Sequence, residues 1–110
     1  MAPARKIKSF ALNTVEVAPI EFELGDETFS AYGDVPGAVL LDFVAKSGGE
    51  TSADTATAIL GYLKASMDEE NWARFDKLIH DPKANVSATI LSEIVGHLIE
   101  ERGSRPTEAS

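Results

Sequence analysis

The chain of 110 residues contains no cysteine, which excludes disulfides, thiolate nucleophiles and cysteine-ligated zinc. It also lacks any apolar run approaching the roughly 18 residues that a membrane-spanning helix needs. The basic start, Arg5, Lys6 and Lys8, imitates a signal peptide only weakly. The stretch after it has no dense apolar centre, and Glu16 interrupts it. Positive charge is scarce as well: 10 Lys and Arg stand against 18 Asp and Glu, a net charge of −8. Three of the basic residues fall in the first eight positions, which leaves seven against eighteen from Ser9 onward. Such a globule repels a phosphate backbone, and counterion release cannot draw it onto nucleic acid. The short basic arm could touch a phosphate or a neighbouring acidic face; the plainer reading is a solvated terminus.

What is present is ordinary globular material, 44% hydrophobic and 25% charged. A chain of this length buries about two-thirds of its unfolded surface, enough for a core without staples. The expectation is a soluble, intracellular protein with one domain over residues 16–103. Before it lies a flexible arm, 1–15, and after it a disordered tail, 104–110, which holds Pro106 and no apolar anchor.

Ile20, Phe22 and Leu24 alternate with Glu21 and Glu23, a strand with one buried and one wet face. Gly25-Asp26 turns it, and Thr28 to Tyr32 returns with Phe29 and Ala31 on one side, completing a hairpin. A lone hairpin is marginal in water and needs support. Four helices follow. Asp34 before Val35-Pro36 opens the first, with proline in its first turn, an apolar face of Val39, Leu40, Phe43 and Val44, and Ser47-Gly48-Gly49 as its end. Thr51 or Ser52 caps the second, whose stripe is Ala56, Ile59, Leu60, Leu63 and Met67. Ser66 and Glu69 have capping-box spacing and open the third, which carries Trp72, Phe75, Leu78 and Ile79 and is stopped by Pro82. Ser87 caps the fourth, with Val86 and Leu91 placed for a hydrophobic staple. Its stripe, Ile90, Leu91, Ile94, Val95, Leu98 and Ile99, is two residues wide, and Gly103 supplies a left-handed stop. The fold class is α+β, mostly α: an N-terminal β-hairpin packed on four short helices.

Chemistry-bearing patterns are sparse. His80 closes the third helix, where an imidazolium suits the dipole, and His97 sits between Glu93 and Glu101 at helical spacing. Neither belongs to a metal-ligand motif, so no metal or cofactor is expected. Serines occupy caps, glycine-rich joins and termini, and no GxSxG occurs. Gly48-Gly49 lacks the lysine and spacer of a phosphate loop. Asp68-Glu69-Glu70 loads the positive end of a helix. The reading is not an enzyme. What stands out is helical apolar surface beyond what a small monomer covers, the mark of a partner or self-association face. The candidate contacts are Phe43, Trp72, Phe75, Ile94, Leu98 and Ile99, with a core role the plainer one for Trp72.

Three stretches carry a family likeness: PIEFELGDETFSAYGDVPGAVLLDFV from Pro19 to Val44, DEENWARFDKLIHDP from Asp68 to Pro82, and LSEIVGHLIEERGSRPTEAS from Leu91 to Ser110. Together they resemble tail assembly chaperones of long-tailed bacteriophages, especially those of actinobacterial hosts. The likeness lies in the order of hairpin, Val-Pro helix, Trp/Phe helix and Arg-Pro-Thr ending, and covers roughly four-fifths of the chain. The resemblance implies a small, helical, acidic, non-catalytic protein, without cofactor, that holds the tape measure protein soluble and helps recruit tail tube subunits. It would oligomerise with itself, act in the cytoplasm of the infected host and leave before the virion matures. Family members are commonly made in two lengths by a programmed frameshift, and an Arg-Pro-Thr tail looks like the short product or the shared N-terminal part. The family has no fixed catalytic residues to carry over. The alternative is a different small acidic adaptor, such as an antitoxin-like binding module.

Overall fold

The computed structural model describes residues 7–10, 17–48 and 52–104. Most of the expected arm, the expected tail beyond Ser104 and the Gly49–Thr51 joint lie outside the described residues. Two strands and four helices follow one another: β1 (Ile20–Leu24), β2 (Glu27–Ala31), α1 (Gly37–Ser47), α2 (Ser52–Ser66), α3 (Glu69–Ile79) and α4 (Ala88–Ser104). The fold is therefore α+β and mostly α, as the residue pattern predicts.

β1 and β2 pair antiparallel, with Leu24 opposite Glu27, Phe22 opposite Phe29 and Ile20 opposite Ala31. Gly25 takes φ of 64°, a left-handed value a side chain resists, and so permits the two-residue turn. Period-two alternation puts Ile20, Phe29 and Ala31 in the core and leaves Glu21 and Glu23 exposed. The aromatic centre of the core joins this sheet to α3. Phe75 is fully buried, with its ring 5.2 Å from Phe29 and 6.1 Å from Phe22, both edge-on, and 6.0 Å from Trp72. Leu63, Met67, Val95 and Leu98 complete it from α2, the bend after α2, and α4.

Several local expectations are corrected. Pro36 is the N-cap residue of α1 rather than a first-turn residue, and Asp34 turns its carboxylate to the Val35 N–H at 2.9 Å instead. Ser66 does not cap α3. It is still helical in α2, where its hydroxyl donates to the Tyr62 carbonyl at 2.7 Å, and Asp68 caps α3 by accepting from Asn71 N–H at 2.8 Å. The inward face of α2 is Ala58, Tyr62, Leu63 and Ser66, while Ala56 and Leu60 are exposed. On α1, Val39 and Phe43 pack toward the core but Leu40 and Val44 do not. Gly103 is helical rather than left-handed. Ser87 does cap α4, its hydroxyl accepting from Ile90 N–H at 3.2 Å. Among the described residues no helix is long and apolar enough to cross a membrane.

Candidate protein-binding surface

The six candidate contacts do not line one groove. Phe75 and Leu98 are fully buried, which places them in the core and out of reach of a partner in this conformation. Trp72 is half-buried against Phe75, so its ring braces the core from the side. Phe43 is half-buried with its ring 5.3 Å from Tyr62, and lines a recess of about 110 Å³ between α1 and α2. Ile94 lines a separate groove of about 270 Å³ between β1 and α4, and Ile99 is half-buried, lining neither. The wide stripe of α4 is thus mostly spent on the core: Val95 and Leu98 are buried, Leu91, Ile94 and Ile99 half-buried, and Ile90 exposed.

Among the described residues, α1 carries an uncovered apolar face. Its Val39 and Phe43, four residues apart, turn toward α2 and the core. At 100° per residue the opposite arc holds Gly37, Ala38, Leu40, Leu41, Val44 and Ala45, all exposed and none charged. Leu41 is 70% and Val44 57% exposed. The helix's two charges, Asp42 and Lys46, sit aside on the recess shared with α2. A helix apolar on both sides belongs in an interior, and one at the surface is a face awaiting cover. Leu41 was not singled out by the sequence reading. The signal was available in the run Gly37 to Val44, which is apolar apart from Asp42 and Gly37.

Polar side chains serve the frame. Asp68 Oδ1 accepts from both the backbone and the side-chain nitrogen of Asn71, at 2.8 and 3.0 Å. These bonds, the backbone one foremost, together with the nearby Arg74 guanidinium, hold the Asp68 carboxyl below the ordinary carboxylate range. Arg74 bridges to Glu27 at 3.2 Å and lies 4.7 Å from the Phe29 ring centroid. At the far end of α4, Arg102 donates to Tyr62 Oη at 2.6 Å, Ser66 Oγ at 3.2 Å and the Tyr32 carbonyl at 2.7 Å, while its buried Nε has no partner among the described residues. His80 caps α3 through Asp76, with Nδ1 3.2 Å from Oδ1, and His97 is exposed on α4. Among the described residues no three His, Asp or Glu side chains are grouped to hold a metal ion.

No family model matches the chain, and neither a curated protein nor a solved structure matches it.

Proposed function

We propose that this chain is a non-catalytic assembly chaperone of the long-tailed phage type, which takes an amphipathic helical segment of a tape measure protein on the outer face of α1. The observation that carries this reading is the uncharged, exposed arc of Leu40, Leu41 and Val44. A helical client with an apolar stripe finds its complement there, as in helix-in-groove recognition. The net charge of −8 keeps both the free chain and its complex soluble. The order of hairpin, Val-Pro helix, Trp/Phe helix and Arg-Pro-Thr ending supplies the phage assignment. Tail tube recruitment, self-association and a cytoplasmic site of action in the infected host belong to the same proposal.

Co-expression with a tape measure protein of a long-tailed phage tests the reading. The wild-type chain should raise the client's solubility and co-elute with it on size exclusion. Leu41→Lys should lose the complex while its own unfolding free energy in urea stays within about 0.5 kcal/mol of wild type, since the residue is a surface one. Failure of the wild-type chain to bind, or undiminished binding by Leu41→Lys, would overturn the proposal.

A further inference from the structure

The two edges of the hairpin are finished differently. On the β2 edge, Ser30 N–H donates to Asn71 Oδ1 at 3.0 Å, and Arg74 Nη2 donates to the Thr28 carbonyl at 3.1 Å. Side chains of α3 thus close that edge. On β1, the register gives the backbone groups of Ile20, Phe22 and Leu24 to β2, which turns those of Glu21 and Glu23 outward. Among the described residues no group meets these outward N–H and C=O groups. An open edge of this kind is a template for another strand.

Beside the edge runs the 270 Å³ groove, lined by Phe22, Glu23 and Leu24 from β1 and by Ile90, Glu93, Ile94 and His97 from α4, with nothing from β2. Ile90 is 38% exposed. A second β1 is a poor occupant, because its own Glu21 and Glu23 would stand opposite the first pair. The edge calls for a strand that alternates basic and apolar residues. The chain carries one such stretch, Lys6-Ile7-Lys8, preceded by Arg5. Its Ile7 is 78% exposed.

We propose that the N-terminal arm of one copy adds as a third strand, antiparallel, to the β1 edge of a second copy. Lys8 stands opposite Glu21 and Lys6 opposite Glu23, so both ion pairs fall on the wet face. Ile7 stands opposite Phe22 and lies over the groove, and Arg5 follows on the same face as Glu93. The backbone groups of Glu21 and Glu23 gain partners, which is β-strand addition with charge choosing the strand. The donor is a neighbour because, within one chain, Ile7 and Lys8 are exposed and in no strand, and so lie off their own β1 edge. Reciprocal exchange closes a twofold dimer. The proposal is independent of the client and of the α1 face.

The absence of cysteine makes the test direct. A Lys8→Cys chain mixed with a Glu21→Cys chain under mild oxidation should give a disulfide-linked heterodimer, and Lys8→Cys mixed with the remote Lys83→Cys should not. Light scattering should report a dimer that the pair Lys6→Glu and Lys8→Glu converts to monomer. Adding Glu21→Lys and Glu23→Lys to that variant should restore the dimer. A wild-type chain that stays monomeric at its solubility limit would overturn the proposal. So would equal cross-linking of the Lys83→Cys control, or failure of the charge reversal to restore association. An intramolecular link in a dilute Lys8→Cys/Glu21→Cys chain would assign the strand to the chain's own arm instead, and would equally overturn the exchange.

Discussion

Replacing Arg102 by methionine removes a guanidinium that ties three elements together while keeping most of the side-chain stem. The wild-type group makes two short bonds, 2.6 Å to Tyr62 Oη and 2.7 Å to the Tyr32 carbonyl, and one longer bond of 3.2 Å to Ser66 Oγ. Hydrogen bonds involving a charged group contribute about 1.5–3 kcal/mol each in favourable settings. The low end applies here, because Arg102 is only half-buried and the Tyr32 end is open to water. Two short bonds then give about 3 kcal/mol. The buried Nε, which has no partner, carries a desolvation cost of about 1 kcal/mol that methionine relieves. The net loss expected is about 2 kcal/mol, a fall in melting temperature of roughly 8–16 °C for a domain of this size. Urea titration at 25 °C, followed by circular dichroism, measures it at unchanged m value. Arg102→Lys should recover only part of the loss, since one ammonium cannot span the same fork. Arg102 and Tyr62 should couple in a double-mutant cycle with Tyr62→Phe. A stability for Arg102→Met within 0.5 kcal/mol of wild type (roughly the scatter of surface substitutions) would refute the idea that this residue locks α4 to α2 and to the exit of β2.

Two further outcomes follow from the core and the α3 cap. Phe75→Ala should cost about 3–5 kcal/mol, the usual range for emptying a buried aromatic site, and Trp72→Ala distinctly less, because that ring is only half-buried; equal costs in urea titration would contradict this ranking. The depressed pKa of Asp68 means that its contribution to stability is full above the unfolded carboxylate value, near pH 4, and is lost as pH falls through the lower folded value. Asp68→Asn keeps a capping oxygen but no longer titrates there, so melting temperatures recorded from pH 7 to pH 2 should fall less steeply for it below pH 4. Superimposable acid limbs would remove Asp68 from the account.

The parts of the fold legible in sequence are those set by neighbours along the chain. Alternation from Ile20 to Leu24, with Gly25 at the turn, specifies the hairpin, and Ser87 announces α4 three residues before the N–H that it accepts from. The misreadings occur where a distant partner decides. Tyr62 and Ser66 look like poor core residues until Arg102 arrives from 40 and 36 positions away to bond them. With Ser66 satisfied inside α2, the cap of α3 passes to Asp68. The candidate site was legible only in kind. Excess helical hydrophobes are visible in composition, but Phe75 and Leu98 become core once the hairpin closes over α3 and α4, and the uncovered remainder moves to Leu41 and Val44. Which side of a helix apolar on two faces turns inward is settled by packing, to which its own pattern gives little guide.

That same helix has no fully buried side chain along its 11 residues and leans chiefly on α2. Lifting it away uncovers Tyr62, against which Phe43 packs, and leaves the aromatic centre around Phe75 closed. Local opening of α1 should therefore leave the packing of the hairpin on α3 in place. A partner docking on its outer face would also hold down α1 itself, and affinity given up to that ordering would favour ready release.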